Sequence, residues 1–150
     1  MAHLELSLSD AFVPAATPPP GPDSLARWIA TVTGAPEPCL VIDQRTRIVA
    51  ISQACCDLIC LGSPEDTVGR PLLDAGVRLI DFTAARGELA EQDIDKIPPL
   101  LALSSGRLAR GLLRVSGKPA GATTATVDAI ATPLFSDGSV AGSLTFLSEV

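Results

Sequence analysis

Ser136-Asp137-Gly138 stands between two apolar runs, Thr123 to Leu134 and Ser139 to Leu147. An Asp-Gly pair in that setting is a strong short-range hairpin signal, because both residues tolerate the left-handed backbone of a two-residue turn. The chain is thereby committed to an antiparallel pair of strands, and Leu112 to Val115 supplies a third β-prone run just before it. Nearer the start, Cys39 to Ile42 and Arg47 to Ile51 flank the polar stretch Asp43-Gln44-Arg45-Thr46 and read as a second hairpin. Five strands are expected.

The helical signals lie around and between these strands. Leu25, Trp28, Ile29 and Val32 follow i, i+3, i+4, i+7 spacing, with Asp23 as N-cap and Gly34 as stop, which predicts a short amphipathic helix. Its apolar face must be buried, either on its own domain or in a dimer seam, and the spacing alone leaves both open. Ser52 is placed to cap a helix from Gln53 to Leu61 that Gly62 would close. Ser63 precedes a second helical turn, with Pro64 at its start and Glu65 and Asp66 suited to the positive helix end. Pro98 and Pro99 open a helix that carries Leu100, Leu101 and Leu103 and stops at Gly106. Between Asp74 and Ile97, apolar residues mix with charges and with the breakers Gly76 and Gly87, and no element is predicted.

The expected fold is α+β: one five-stranded antiparallel sheet with short helices on one face, preceded by an amphipathic N-terminal helix. Pro14, Pro18, Pro19, Pro20 and Pro22 favour an extended, unpacked segment, so residues 1–22 are read as a disordered tail and residues 23–150 as the domain. A chain of 150 residues has material for one real core.

Seventeen acidic against eleven basic side chains give a net charge of −6, a field that repels phosphate backbones, so direct nucleic-acid binding is not expected. The densest basic stretch, Arg107, Arg110 and Arg114, has Gly106 just before it and Gly111 within it, which argue against a continuous helix, and it reads as a solvated face. Aromatics make up only 3% of residues, so stacking platforms for bases or flavins are scarce. No basic leader precedes an apolar segment at the start, and no apolar run approaches the roughly 18 residues of a membrane span. A cytoplasmic protein without membrane association is expected.

The segments CLVIDQRTRIVAISQACCDLIC, SPEDTVGRPLLD and TVDAIATPLFSDGSVAGSLTFLSEV together resemble the opening, early helices and closing hairpin of the PAS family, over roughly residues 24 to 148. The most specific part is Glu65-Asp66-Thr67-Val68-Gly69-Arg70-Pro71-Leu72, which is similar to the family's acidic pair, apolar residue, Gly-Arg and apolar landing. Gly69 in it is scaffold for a tight corner. The chain departs from the family pattern at Thr46, where Gly is usual, and at Ser52, where Asn is usual. The resemblance implies a sensory or interaction module that holds a small ligand between sheet and helices, or that simply binds protein. Dimerisation through the sheet's outer face or the leading helix is also implied. Such modules usually drive an attached output domain; here the last strand is expected to run to Val150, so output is expected through an effector partner in trans.

On this reading Ile42, Ile59, Leu72, Leu101, Ile130 and Leu144 are candidates to line a ligand pocket, or else to fill the core. Leu25, Trp28, Ile29 and Val32 are candidates for a homodimer interface. Cys39 falls in a strand and Cys55, Cys56 and Cys60 on a helix, without the paired C-x-x-C spacing of a zinc or iron–sulfur site. Buried small hydrophobes in a reducing compartment is one reading; redox sensing through Cys55, Cys56 and Cys60, as thiols or as a metal cluster, is the alternative. No metal site and no cofactor is assigned. The Asn-Cys-Arg-Phe motif of flavin-bonding relatives does not occur, and the single histidine, His3, lies in the tail. Asp93 and Asp95 beside Lys96 read as a solvated patch, and no catalytic set can be assembled. The expected function is a non-catalytic sensing or adaptor domain.

Overall fold

Asp137 and Gly138 both take positive φ, 52° and 81°, the backbone a two-residue hairpin turn requires. They join the two longest strands of the computed structural model, which describes residues 24–59, 61–74, 78–80, 88–116 and 124–150. In chain order the elements are α1 (Ser24–Thr33), β1 (Cys39–Asp43), β2 (Ile48–Ile51), α2 (Gln53–Leu58), α3 (Pro64–Thr67), a single 3₁₀ turn (Leu72–Asp74) and β3 (Arg78–Ile80). They continue with α4 (Glu91–Ile94), α5 (Pro98–Ser105), β4 (Ala109–Ser116), β5 (Thr124–Ser136) and β6 (Ser139–Glu149). The proposed tail, residues 1–22, lies outside the described residues, as do Asp23, His3 and Cys60.

The strands form one antiparallel sheet in the order β2-β1-β6-β5-β4-β3. It has six strands rather than the five expected. The extra one, β3, pairs Arg78 with Ser116 and Ile80 with Arg114 at the sheet's edge. Three residues are too few to show period-two alternation, so this strand exists by pairing rather than by pattern.

Side-chain parity gives the sheet two distinct faces. Leu40 and Ile42 of β1, Val115 of β4, Val127 and Ala129 of β5 and Leu147 of β6 point inward, where Cys55, Cys56, Ile59, Leu72, Ile97 and Leu100 cover them from the short helices. Cys39 and Val41 of β1, Leu134 of β5 and Leu144 of β6 point the other way and are covered by Val32, Leu25, Trp28 and Ile29 of α1. The short helices therefore cover one face, and the leading helix covers the other. The leading helix docks on its own domain, and Ser24 fixes its start by accepting from Phe135 N and donating to Phe135 O at 2.9 and 3.1 Å.

A bulge between Val41 and Ile42 shifts the β1–β2 register, so that Leu40 faces Ile51 and Ile42 faces Ile48. Ile48 and Ile51 are an odd number of positions apart and would fall on opposite faces of a regular strand; the bulge turns both inward. The preceding turn is closed by Asp43, whose carboxylate accepts from the backbone N–H of Arg45 and Arg47, and it holds Thr46 at φ 62°. The Gly-Arg-Pro segment covers the edge of β2: Ile48 N donates to Arg70 O and Gly69 N to Ile48 O. The family-like motif is thus an edge-capping device.

The caps read at Ser52, Ser63, Pro98-Pro99 and Gly106 are in place. Ser52 caps α2 and Ser63 caps α3, while Pro98 and Pro99 open α5 and Gly106 closes it in the left-handed region. The α2 helix stops at Leu58, short of Leu61, because Ile59 leaves helical geometry and Leu61 N reaches back to Cys56 O instead. No described helix is long and apolar enough to cross a membrane.

A candidate ligand cavity on the inner face of the sheet

The inner face is not fully packed. Between Leu40 of β1, Val115 of β4, Val127 of β5 and Thr145 and Leu147 of β6 on one side, and Ile59, Leu72, Leu79 and Ile97 on the other, a cavity of about 40 Å³ remains. Its existence follows from the shortness of the covering elements: α2, the 3₁₀ turn and α4 are one or two turns each, too short to interdigitate continuously with the sheet. Its lining is aliphatic apart from Thr145. A shallower groove of about 160 Å³ shares Leu79, Ile97 and Leu113 with it and has Asp93, Lys96 and Arg114 around it. Lys96 pairs with Asp93 at 3.6 Å in the open.

The Thr145 side chain is fully buried, and its Oγ1 has no hydrogen-bond partner. Its cross-strand neighbours, Leu40 and Ala131, offer no polar side-chain group. Other buried hydroxyls are bonded: Ser143 donates to Pro99 O at 2.9 Å, Thr67 to Ser63 O at 2.8 Å and Ser52 to Glu37 O at 2.7 Å.

Of the six pocket candidates, Ile59 and Leu72 line the cavity. Ile42 is buried on the same face but beside Ser143, away from the void. Leu144 lies on the opposite face under α1. Ile130 pairs with Phe146 on that same outer face and is 37% exposed, and Leu101 points outward from α5 at 39% exposure. The inner positions of β5 are instead small, Ala129 and Ala131, because Ala102 of α5 and Ala109 of β4 pack closely there. Strict alternation along β6 would have selected Thr145 and Leu147.

The four helix candidates, Leu25, Trp28, Ile29 and Val32, lie together on α1 but against their own sheet; Trp28 meets Phe146 edge-on at 6.4 Å and 89°. Beyond the helix, Leu112, Ile130 and Phe146 leave an apolar patch exposed on the outer face. Beside it Arg110 grips Asp128 through both carboxylate oxygens at 2.7 and 3.2 Å, holding that carboxyl below the usual range.

Cys39, Cys55 and Cys56 are free thiols, all fully buried. Burial raises each of them, Cys55 most, with Cys56 and Cys39 as further unfavourable neighbours of its thiolate. The Ser52 hydroxyl partly offsets the rise at Cys39 and the Thr67 hydroxyl at Cys56. A thiol so disfavoured as thiolate is a poor nucleophile or metal ligand. Among the described residues no three His, Cys, Asp or Glu side chains come together as a metal site would need.

No protein-family model matches the sequence, and no curated protein matches it. Solved structures do match in fold. The PAS domain of a protein from Colwellia psychrerythraea superposes with a TM-score of 0.58 at 14% identity, covering 85% of this chain and 98% of that one. The PAS domain of nitrogen regulation protein NR(II) from Vibrio parahaemolyticus gives 0.55 at 14% identity, over 81% and 95%. VqmA of Vibrio cholerae gives 0.59 at 18% identity, with 83% of this chain covered and only 51% of VqmA. The six-stranded antiparallel sheet with short helices is therefore PAS-like.

Proposed function

We propose that this PAS-like domain is a non-catalytic sensory module that binds a small apolar ligand in its inner cavity. The observation that carries the reading is the aliphatic cavity between the sheet's inner face and Ile59, Leu72, Leu79 and Ile97. Apolar burial supplies the affinity, and occupancy adds packing between Leu79 of β3, Ile97 and the sheet. Among the fold neighbours, VqmA is described as bound to DPO, which supports ligand holding as a use of this architecture. Native mass spectrometry of protein purified without added ligand tests the reading. A persistent small-molecule adduct released on denaturation is the expected result; its absence, together with no thermal stabilisation by any of a panel of small apolar compounds, overturns it.

We further propose that the domain works as a homodimer that signals to an effector protein in trans. Leu112, Ile130 and Phe146, with the half-buried flank of Trp28 and Ile29, form the apolar surface on the outer face best placed for a second copy. VqmA is described as a dimer, which supports this arrangement. Leu112→Arg with Ile130→Arg should convert the dimer to monomer in sedimentation without unfolding it, because both side chains are already exposed. An unchanged sedimentation coefficient removes this surface from the dimer.

A further inference from the structure

We infer that the ligand is an anionic amphiphile, with its apolar end in the inner cavity and a carboxylate in the adjoining groove beside Lys96 and Arg114. The inference rests on the reading of the cavity as a ligand site and names the class of molecule that site takes.

The cavity and the groove share a wall, because Leu79 of β3, Ile97 and Leu113 of β4 line both. At about 160 Å³ against about 40 Å³, the groove is the larger of the two. A ligand confined to the cavity buries little apolar area, whereas one that runs on past Leu79, Ile97 and Leu113 buries more. β3 pairs with β4 only from Arg114 to Ser116, and the groove lies where that pairing stops, lined by Gly111, Leu112 and Leu113 of β4. Gly111 is a second, independent mark. Its φ is not positive, and a Cβ there would meet only Pro98, at an ordinary 3.5 Å, so neither the backbone nor the neighbours require glycine. Glycine inside a strand weakens it and often marks close approach by a ligand; here it keeps the groove open beside Pro98.

Charge selects the head group. Lys96 and Arg114 line the groove against a single acid, Asp93, while Glu88, bridged to Ile80 nearby, does not line it. The Lys96 side chain is 72% exposed and holds Asp93 at 3.6 Å, a contact weak enough to be shared with a ligand. A guanidinium has donors for more than one partner. No charged side chain lines the cavity, so a carboxylate is unfavourable there and favourable in the groove, and the apolar chain points inward.

The full chain is titrated at neutral pH with hexanoate and, separately, with cyclopentane, a compact probe without a head group, and binding is followed by methyl NMR. Hexanoate should shift Val127 and Leu147 in the cavity together with Ile80 and Leu89 in the groove, at one affinity, whereas cyclopentane should shift the cavity methyls alone. Lys96→Met should weaken hexanoate roughly two- to fivefold, as loss of one exposed ion pair predicts, and Lys96→Arg should retain it, with cyclopentane unaffected by either. Gly111→Val, which narrows the groove, should weaken hexanoate and spare cyclopentane. If hexanoate leaves either set of methyls unmoved, or if Lys96→Met binds it as tightly as the unaltered chain, the inference is overturned, and cyclopentane binding alone keeps the cavity as a ligand site. If neither probe shifts a cavity methyl in any form of the protein, the ligand-holding reading falls with it. Lys96 is exposed, so its substitution tests the head group without putting the fold at risk.

Discussion

Leu144 and Thr145 are adjacent on β6 and equally buried, yet they face opposite layers of the molecule. Leu144 enters a cluster with Val32, Val41 and Leu134, where the ten-residue α1 packs on the strands. Thr145 faces the layer of short helices, where its side chain is fully enclosed but its hydroxyl meets no partner. The outer layer is thus closely covered, whereas the inner one leaves a small apolar cavity and one unmet hydroxyl. One strand serves both because period-two alternation lets its two faces be composed independently.

Leu144→Ala breaks the comparison from its stable side. Removing a fully buried leucine from a cluster that cannot collapse around it should cost about 3 kcal/mol, read from chemical denaturation. A cost well under 1 kcal/mol would mean that α1 is not firmly seated. Ser52→Ala comes next. That hydroxyl accepts from Cys39 N and Cys55 N and donates to Glu37 O, tying the start of β1 to the first inner helix. Its loss should cost about 2 kcal/mol, and it should loosen the inner layer first, seen as faster amide exchange in α2 than in α1. Thr145→Val has the opposite sign: in ligand-free protein it should stabilise by about 1 kcal/mol, because the variant buries no unsatisfied hydroxyl. Destabilisation instead would show that the protein itself satisfies Thr145 and that the two faces are alike.

What could be read from the sequence divides along similar physical lines. Turn and cap chemistry is local, so Ser136-Asp137-Gly138, Ser52, Ser63 and the Pro98-Pro99 to Gly106 helix were legible residue by residue. The β3 strand was not, because its three residues depend on a partner more than thirty positions away. Four cavity-lining strand residues, Val115, Val127, Thr145 and Leu147, are legible only through the alternation of their strands, once the inner face is known. The inner face is built from small residues where α5 presses on it, so the bulky Ile130 and Leu144 belong outside. The α5 helix gave no such signal: Leu100, Leu101 and Leu103 surround it, and only contact with the sheet decides that Leu100 is inside and Leu101 outside.

The outer face has its own contrast, between the part α1 covers and the part it leaves to Arg110 and Asp128. The smallest expected effect lies there. Asp128 is held below the ordinary carboxylate range chiefly by the hydrogen bonds from Arg110, with the guanidinium charge adding to them against a partial desolvation. A lowered carboxyl favours the folded state at pH values above the unfolded carboxyl's own range, and that contribution is lost as pH falls through the folded value. Arg110 is exposed and Asp128 only partly buried, so salt screens the pair and Arg110→Ala should leave the melting temperature at pH 7 nearly unchanged. The same variant should raise the Asp128 midpoint toward that of an ordinary aspartate in a carboxyl-detected NMR titration. If a homodimer buries Ile130 and Phe146 beside this pair, the midpoint shift should grow with protein concentration, since burial strengthens the contact. A midpoint independent of concentration across the monomer–dimer transition would place the seam elsewhere than on this half of the sheet.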